Sequence, residues 1–406
     1  MSLEASLSGV GLTANLGTAS SSINVPIWQL SNILDGIRRI PAFFRRVDPL
    51  EPSSPASMLK RFIIASAPDT HGKFEELTRF ETFINLIKTD SSIPGIPKTM
   101  VRALMVQGDV IVEQDTKAGA LSLFSDFATI GADYGVDLLA CFDNHDSNSR
   151  YSNTTAIVLS KAEQRAALID PIISSVDSIV ADVGNADACY YYKDYDGGDG
   201  YKMRVIVLDQ YDMPQNVIGD SYEYTMYVGR NYSQAQLTWL AETALAVPSE
   251  DYHVIFFCGG SLSNPATFNT SHTAVLQLVD AFTQQGSVDL DDATADFEFD
   301  IDVDFSVING FNGSVVGWFR GDGHILNAAT YAINGRDYNT ISCPSADQQS
   351  IGYGRQPETG VTDMMTFIVV DTEDRNIFLL RYGCPCSESG DELPYGDLGI
   401  DPVITY

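Results

Sequence analysis

Positive charge is scarce in this chain: 24 Lys and Arg stand against 54 Asp and Glu over 406 residues, a formal net charge of −30. Such a field repels phosphate backbones and anionic membranes unless bound cations or local arginine clusters invert it, which argues against general nucleic-acid binding. Long apolar runs are absent as well, and none nears the roughly 18 residues needed to span a bilayer as a helix. The six cysteines (Cys141, Cys189, Cys258, Cys343, Cys384, Cys386) are scattered and contain no C-x-x-C pair. That argues against a disulfide scaffold and a cysteine-based zinc site, and leaves the redox compartment open. The first 25 residues hold no Lys or Arg and no sustained apolar block, unlike a secretory signal. Synthesis in the cytoplasm is expected, with any export by another route.

What is present is a full complement of core-forming residues, 44% hydrophobic with 19 Tyr and 20 Phe, enough for one large or two ordinary domains. Residues 1–56 read as an N-terminal appendage and linker, with a helix in 27–47. There Ile27, Leu30, Leu34 and Ile37 recur at helical spacing beside Arg38, Arg39, Arg45 and Arg46. This basic helix either docks an assembly partner or packs on the acidic surface of its own chain. Residues 57–388 alternate short apolar runs (RFIIASA, ALMVQ, LLACF, RVIVLDQ, VIFFC, VVGWF) with amphipathic stretches, the pattern of an α/β domain. Helices are expected in 73–88, around Phe124 and Phe127, after a capping box of Ser233 and Gln236, and in TAVLQLVDAF. FEFDIDVDF alternates strictly and reads as a half-buried strand with an acidic outer face. Asp194–Asp199 read as a hairpin tip, and His253 and His272 as surface or capping residues. Residues 389–406 read as an acidic surface tail.

The chemistry gathers just past the apolar runs. FIIASA leads into Asp69-Thr70-His71, ALMVQ into Gly108-Asp109, LLACF into Asp143-Asn144-His145-Asp146, and VVGWFR into Gly321-Asp322-Gly323-His324. Only five histidines exist, and three of them occupy these positions. Strand C-terminal edges are where open α/β sheets bind ligands. Mixed Asp, Asn and His donors suit divalent Zn, Mn, Fe or Mg rather than a thiolate site. Two such ions roughly 3.5–4 Å apart clamp the attacking and leaving oxygens of a phosphoryl group. They would also let so acidic a protein accept an anionic substrate.

These blocks, in this order, resemble the calcineurin-like metallophosphoesterases over roughly residues 58–386. The resemblance implies a four-layer α/β/β/α sandwich of two mixed sheets flanked by helices, and a metal-dependent phosphoesterase, more specifically a phosphodiesterase. It implies a first ion on Asp69, His71, Asp109 and His324, and a second sharing Asp109 with Asn144. His145 would be the general acid, oriented by Asp146. The text of YYYKDYDGGDGYKMRVIVLDQYD and YSQAQLTWLAETAL is similar to versions of the domain in phage tail and other virion-associated proteins. That similarity implies assembly into a virion and a cell-surface phosphodiester polymer as substrate.

The chain departs from the family in three places. Gly259 stands where a lone histidine belongs, Asp322 replaces the first histidine of the last block, and Asp143 replaces a glycine. Asp322 is expected to serve the second ion and to favour harder cations. Cys258, beside the gap, reads as a buried small hydrophobe with a thiolate ligand as the alternative. The rival expectation is a decayed fold kept as a structural or binding protein.

Overall fold

Six chain segments rich in Val, Ile, Leu and Phe become parallel strands of two sheets, joined in the second sheet by a seventh, and the chain leaving four of the six carries the acidic and histidine blocks. The computed structural model describes residues 6–8, 11–14, 23–25, 61–72, 74, 101–130, 136–196, 200–260, 266–308, 311–322, 327–343, 364–383 and 404–406. The expected helix in 27–47, that in 73–88 apart from Phe74, and His324, Cys384 and Cys386 lie outside these residues.

Three short strands, β1 (Ser6–Ser8), β2 (Gly11–Ala14) and β3 (Ile23–Val25), form an antiparallel sheet. The first large sheet begins with β4 (Arg61–Ser66), β5 (Val101–Gln107) and β6 (Asp137–Cys141), which run parallel. The second opens with β7 (Ile179–Ala181), β8 (Tyr191–Asp196) and β9 (Lys202–Val207). A separate two-stranded ribbon of β10 (Val217–Ile218) and β11 (Ser221–Tyr222) follows in the chain. The second sheet then gains β12 (Tyr252–Cys258), β15 (Ser314–Arg320), β16 (Asn327–Ile333) and β17 (Arg336–Ser342). Its order is β16-β17-β15-β12-β9-β8-β7, with β9, β12, β15 and β17 parallel. The first sheet is completed by β18 (Met364–Asp371), β19 (Asn376–Gly383) and β20 (Ile404–Thr405), added antiparallel to give the order β20-β19-β18-β4-β5-β6. Residues 404–405, within the stretch expected to be a surface tail, are thus paired into a sheet.

The central strands are apolar along their whole length because both faces are covered. Between the sheets, Phe62 of β4 meets Tyr195 of β8 with ring centroids 5.2 Å apart. The buried Tyr191 hydroxyl donates to the Ala140 carbonyl at 2.9 Å and accepts from its amide at 3.0 Å. The outer face of the first sheet carries α1 (Lys117–Ala128), which buries Ala120, Phe124 and Phe127, and α2 (residues 161–175). Asp170 closes onto Arg165 through a π turn just before Pro171, whose missing N–H and bulky ring disfavour regular α winding.

Two helices, α3 (residues 234–244) and α4 (Ser271–Gln284), bury their apolar faces on the second sheet, where Phe256 stacks on Trp318 at 4.2 Å. Burying each such ring is worth about 1.5–3 kcal/mol. The result is the four-layer α/β/β/α sandwich expected from the sequence.

Ser233 does cap α3, accepting from the Gln236 amide at 3.3 Å, but the reciprocal half of the expected box is not made. The Gln236 side chain instead holds the backbone of Asp209, at 2.9 Å from both its amide and its carbonyl. The acidic ladder is β14 (Phe299–Asp304), paired with β13 (Ser287–Asp292), with Phe299, Ile301 and Val303 buried and Asp300, Asp302 and Asp304 exposed. The hairpin of β8 and β9 brackets the glycine-rich tip. His253 does not precede its strand: it lies inside β12, is 4% exposed, and its Nδ1 is 2.8 Å from the Tyr406 hydroxyl. Cys258 is buried, burial pushes its thiol up to about 12, and its Sγ donates to the Gly260 carbonyl at 3.0 Å.

Candidate metal centre

Beyond β4 and β5 the two chain segments keep pairing as they leave the sheet. Asp69 N donates to Gly108 O at 3.2 Å, His71 N to Asp109 O at 2.8 Å, and Gly72 N to Val110 O at 2.9 Å. This pairing holds Asp69, His71 and Asp109 at positive φ (55°, 48° and 45°), and Asp322 past β15 adopts φ 53°. Left-handed backbone at a non-glycine residue costs about 1–3 kcal/mol and persists only where its surroundings over-determine it, as at functional sites. Here it lifts successive acidic and imidazole side chains onto one edge.

The loop after β6 is a single 3₁₀ turn, Asn144–Ser147, closed by Asp143 and Asp146. Asp146 accepts from the Asp143 amide at 2.8 Å and the Ile111 amide at 3.1 Å, tying this loop to the one after β5. Asp143 Oδ1 accepts from the Asn144 amide at 2.7 Å. The His145 amide donates to Asp109 Oδ1 at 3.1 Å.

Two donor groups result. In one, ligand atoms of His71, Asp109 and His145 lie within 4.8 Å of one another; in the other, those of Asp69, Asp109 and Asp143 do. Asp109 belongs to both. Its Oδ2 is 3.8 Å from His71 Nε2 and 3.9 Å from His145 Nε2, and the two imidazoles meet edge to face at 4.9 Å. Asp322 is adjacent, its amide donating to Asp69 Oδ1 at 3.0 Å and its Oδ2 lying 3.8 Å from Arg230 Nη2. Asn144 sits in the turn with its Oδ1 buried and accepting no hydrogen bond among the described residues.

Burial, and then the charge of Asp143, push Asp69 and Asp109 well above the usual carboxylate range. Burial, and then the charge of Asp322, do the same to Asp143. Asp146 rises to about 7 by burial, held back by the amides it accepts from. This is a cradle of carboxylates that resist shared ionisation, and buried oxygens of Asp143 and Asn144 lack hydrogen bonds among the described residues. Such a cradle fits a divalent cation. A buried acceptor left unsatisfied costs about 1–3 kcal/mol, which a cation removes.

Several participants carry no signal in the sequence. The ring partner of His145 is Glu113, with Oε1 2.6 Å from Nδ1, whereas the Asp146 carboxylate is used on backbone amides. Tyr227 meets His145 edge on at 5.3 Å, and the exposed Arg150 lies over Tyr227 at 5.6 Å. Arg230 lies 5.9 Å from the Tyr211 ring. Two guanidinium groups therefore flank an otherwise acidic centre.

No family model and no curated protein matches this chain. Among solved structures it is similar to TT1561 of Thermus thermophilus, with TM-score 0.35 and 9% identity, covering 78% of this chain and 97% of that one. It is also similar to a conserved uncharacterized protein of Streptococcus pneumoniae TIGR4, a predicted phosphoesterase, with TM-score 0.25 and 9% identity over 85% and 98% of the two chains.

Proposed function

We propose that this chain is a metal-dependent phosphoesterase acting on phosphodiesters. The observation that carries this reading is the Asp109 carboxylate shared between the His71/His145 group and the Asp69/Asp143 group. Asp69, His71 and Asp109, joined by His324, would hold the first ion, and Asp109, Asn144 and Asp322 would serve a second. Bound divalent ions supply Lewis-acid polarisation of a phosphoryl oxygen and a water of lowered pKa. Arg150 and Arg230 approach from the rim, where guanidinium forks suit the non-bridging oxygens of a phosphodiester. His145, whose Nδ1 lies against Glu113, would give a proton to the leaving oxygen.

A second reading, a phosphoesterase fold retained as a structural or binding component, draws on Gly259, which offers no ligand. Docking into a virion through residues 27–47 would belong with it. The deciding experiment measures Mn content and hydrolysis of bis(p-nitrophenyl) phosphate in wild type and Asp109→Asn. Metal and turnover in wild type, both lost in the variant, are expected. Metal without turnover favours the second reading, and a wild-type protein that takes up no divalent ion overturns both.

A further inference from the structure

At position 259, where the family resemblance would place a histidine, the space is already filled by another side chain. A Cβ built on Gly259 would stand 2.6 Å from Asp143 Cγ and 2.7 Å from Asp143 Cβ, and closer still to the Phe142 carbonyl oxygen. On the other side, a Cβ on Gly108 (φ 75°) would collide with Asp143 Cβ and lie 3.1 Å from Asp143 Oδ2. The Asp143 side chain is thus lodged between two glycines from neighbouring strand ends. It is 2% exposed. One of its oxygens, Oδ1, is fixed by the Asn144 amide at 2.7 Å, while Oδ2 is buried with no hydrogen bond among the described residues. The Tyr211 phenol beside it favours the charged carboxylate, yet its oxygen has no hydrogen-bond partner of good geometry among those residues either. The ligand atoms of Asp143, Asp69 and Asp109 lie within 4.8 Å of one another.

We propose that Asp143 is a metal ligand that takes the place of the absent imidazole at position 259, where the Phe142 carbonyl and the Asp143 side chain together leave room for glycine alone. The two departures from the family pattern are then one coupled exchange rather than two losses. The inference rests on the metal-binding reading above and specifies which residue completes the second group. Its chemical consequence is selectivity. An oxygen donor from Asp143, beside those of Asp69 and Asp109, suits Mn or Mg, whereas an imidazole at position 259 would favour Zn.

The test is a Mn(II) titration of the full-length protein followed by electron paramagnetic resonance, with Zn competition. Asp143→Asn preserves the Oδ1 acceptor for the Asn144 amide and replaces the proposed ligand oxygen with an NH₂ group. It is expected to lose one Mn site or to weaken it by about tenfold or more. Gly259→His alone is expected to weaken the same site, because the imidazole and the Asp143 carboxylate exclude each other. If Asp143→Asn binds Mn with wild-type stoichiometry and affinity while Asp109→Asn does not, the proposal is overturned and the metal reading stands. If wild type binds no Mn, the metal reading itself falls. Circular dichroism confirms that each variant is folded, and a fold lost only on Asp143→Asn, with no metal added, would assign Asp143 a structural role and overturn the proposal.

Discussion

The Nδ1 nitrogen of His145 lies 2.6 Å from Oε1 of Glu113, which turns the other ring nitrogen toward Asp109. Such a contact sets the tautomer and orientation of an imidazole. Burial pushes the Glu113 carboxyl up, but the close contact with His145, its charge and that of Arg150 together outweigh it and hold the group below its ordinary value of 4.5. Glu113 is therefore a positioning residue, charged throughout the neutral range. Glu113→Gln should lower kcat by about tenfold to a hundredfold with KM little changed. Glu113→Asp should recover part of the effect. A kcat unchanged by Glu113→Gln would remove Glu113 from this role.

A proton donor matters in proportion to how poor the leaving group is. His145→Ala should therefore cost a diester with an alkoxide leaving group about 10²–10⁴ in rate, and bis(p-nitrophenyl) phosphate far less. Comparing the two substrates across wild type and variant checks this. Equal losses on both would place His145 in metal binding instead, beside His71 and Asp109.

Beneath the site, Lys161 Nζ donates to Asp209 Oδ2 at 2.6 Å, with the two side chains 1% and 0% exposed. Burial alone would lower the lysine pKa, but the surrounding charges, Asp209 foremost, and the Asp209 hydrogen bond together outweigh it and raise it. Asp209 Oδ1 also accepts from the Tyr211 amide at 2.9 Å and so anchors the segment carrying Tyr211 to the centre. Lys161→Met leaves a buried carboxylate unpaired and should cost about 3–5 kcal/mol in urea unfolding. Adding Asp209→Asn, which keeps an acceptor for the Tyr211 amide, should recover more than half of that. A double variant no more stable than the single one would show that the ion pair is not the source of the loss.

The strand-end placement of Asp69, His71, Asp109 and the 143–146 block is legible in the sequence because apolar runs and acidic punctuation are both local signals. The layers follow from the same alternation, and β14 from strict period two. Glu113 is not legible: it sits beyond β5 in irregular chain with no periodicity, and only the return of β6 brings His145 to it. Asp143 reads in the sequence as a misfit in a glycine turn, because its steric partner Gly259 lies 116 residues away on another sheet. The capping box at Ser233 fails for a related reason, since tertiary demand from the Asp209 backbone takes the Gln236 amide that a local rule assigns to the helix end.

The surface role expected of His253 fails because its environment depends on a contact from the far end of the chain, the Tyr406 hydroxyl at 2.8 Å from Nδ1. Burial, with the Arg375 charge adding to it, depresses its pKa from 6.5 to about 4, Asp251 acting weakly the other way. Between those values the unfolded chain binds a proton that the folded chain does not, so stability falls as pH drops from 6.5 to about 4, by up to about 3 kcal/mol. The crowded carboxylates Asp69, Asp109 and Asp143 act with the opposite sign. Their raised pKa values mean the folded chain holds protons the unfolded one has released, so their contribution is largest at low pH and fades as pH rises. Comparing wild type with His253→Gln, which still presents an acceptor to Tyr406 but does not titrate, cancels the carboxylate effect. Denaturant midpoints of the two proteins should differ most near pH 7, in favour of wild type, and converge or cross by pH 4. Parallel curves across that range would mean that His253 protonates as readily folded as unfolded.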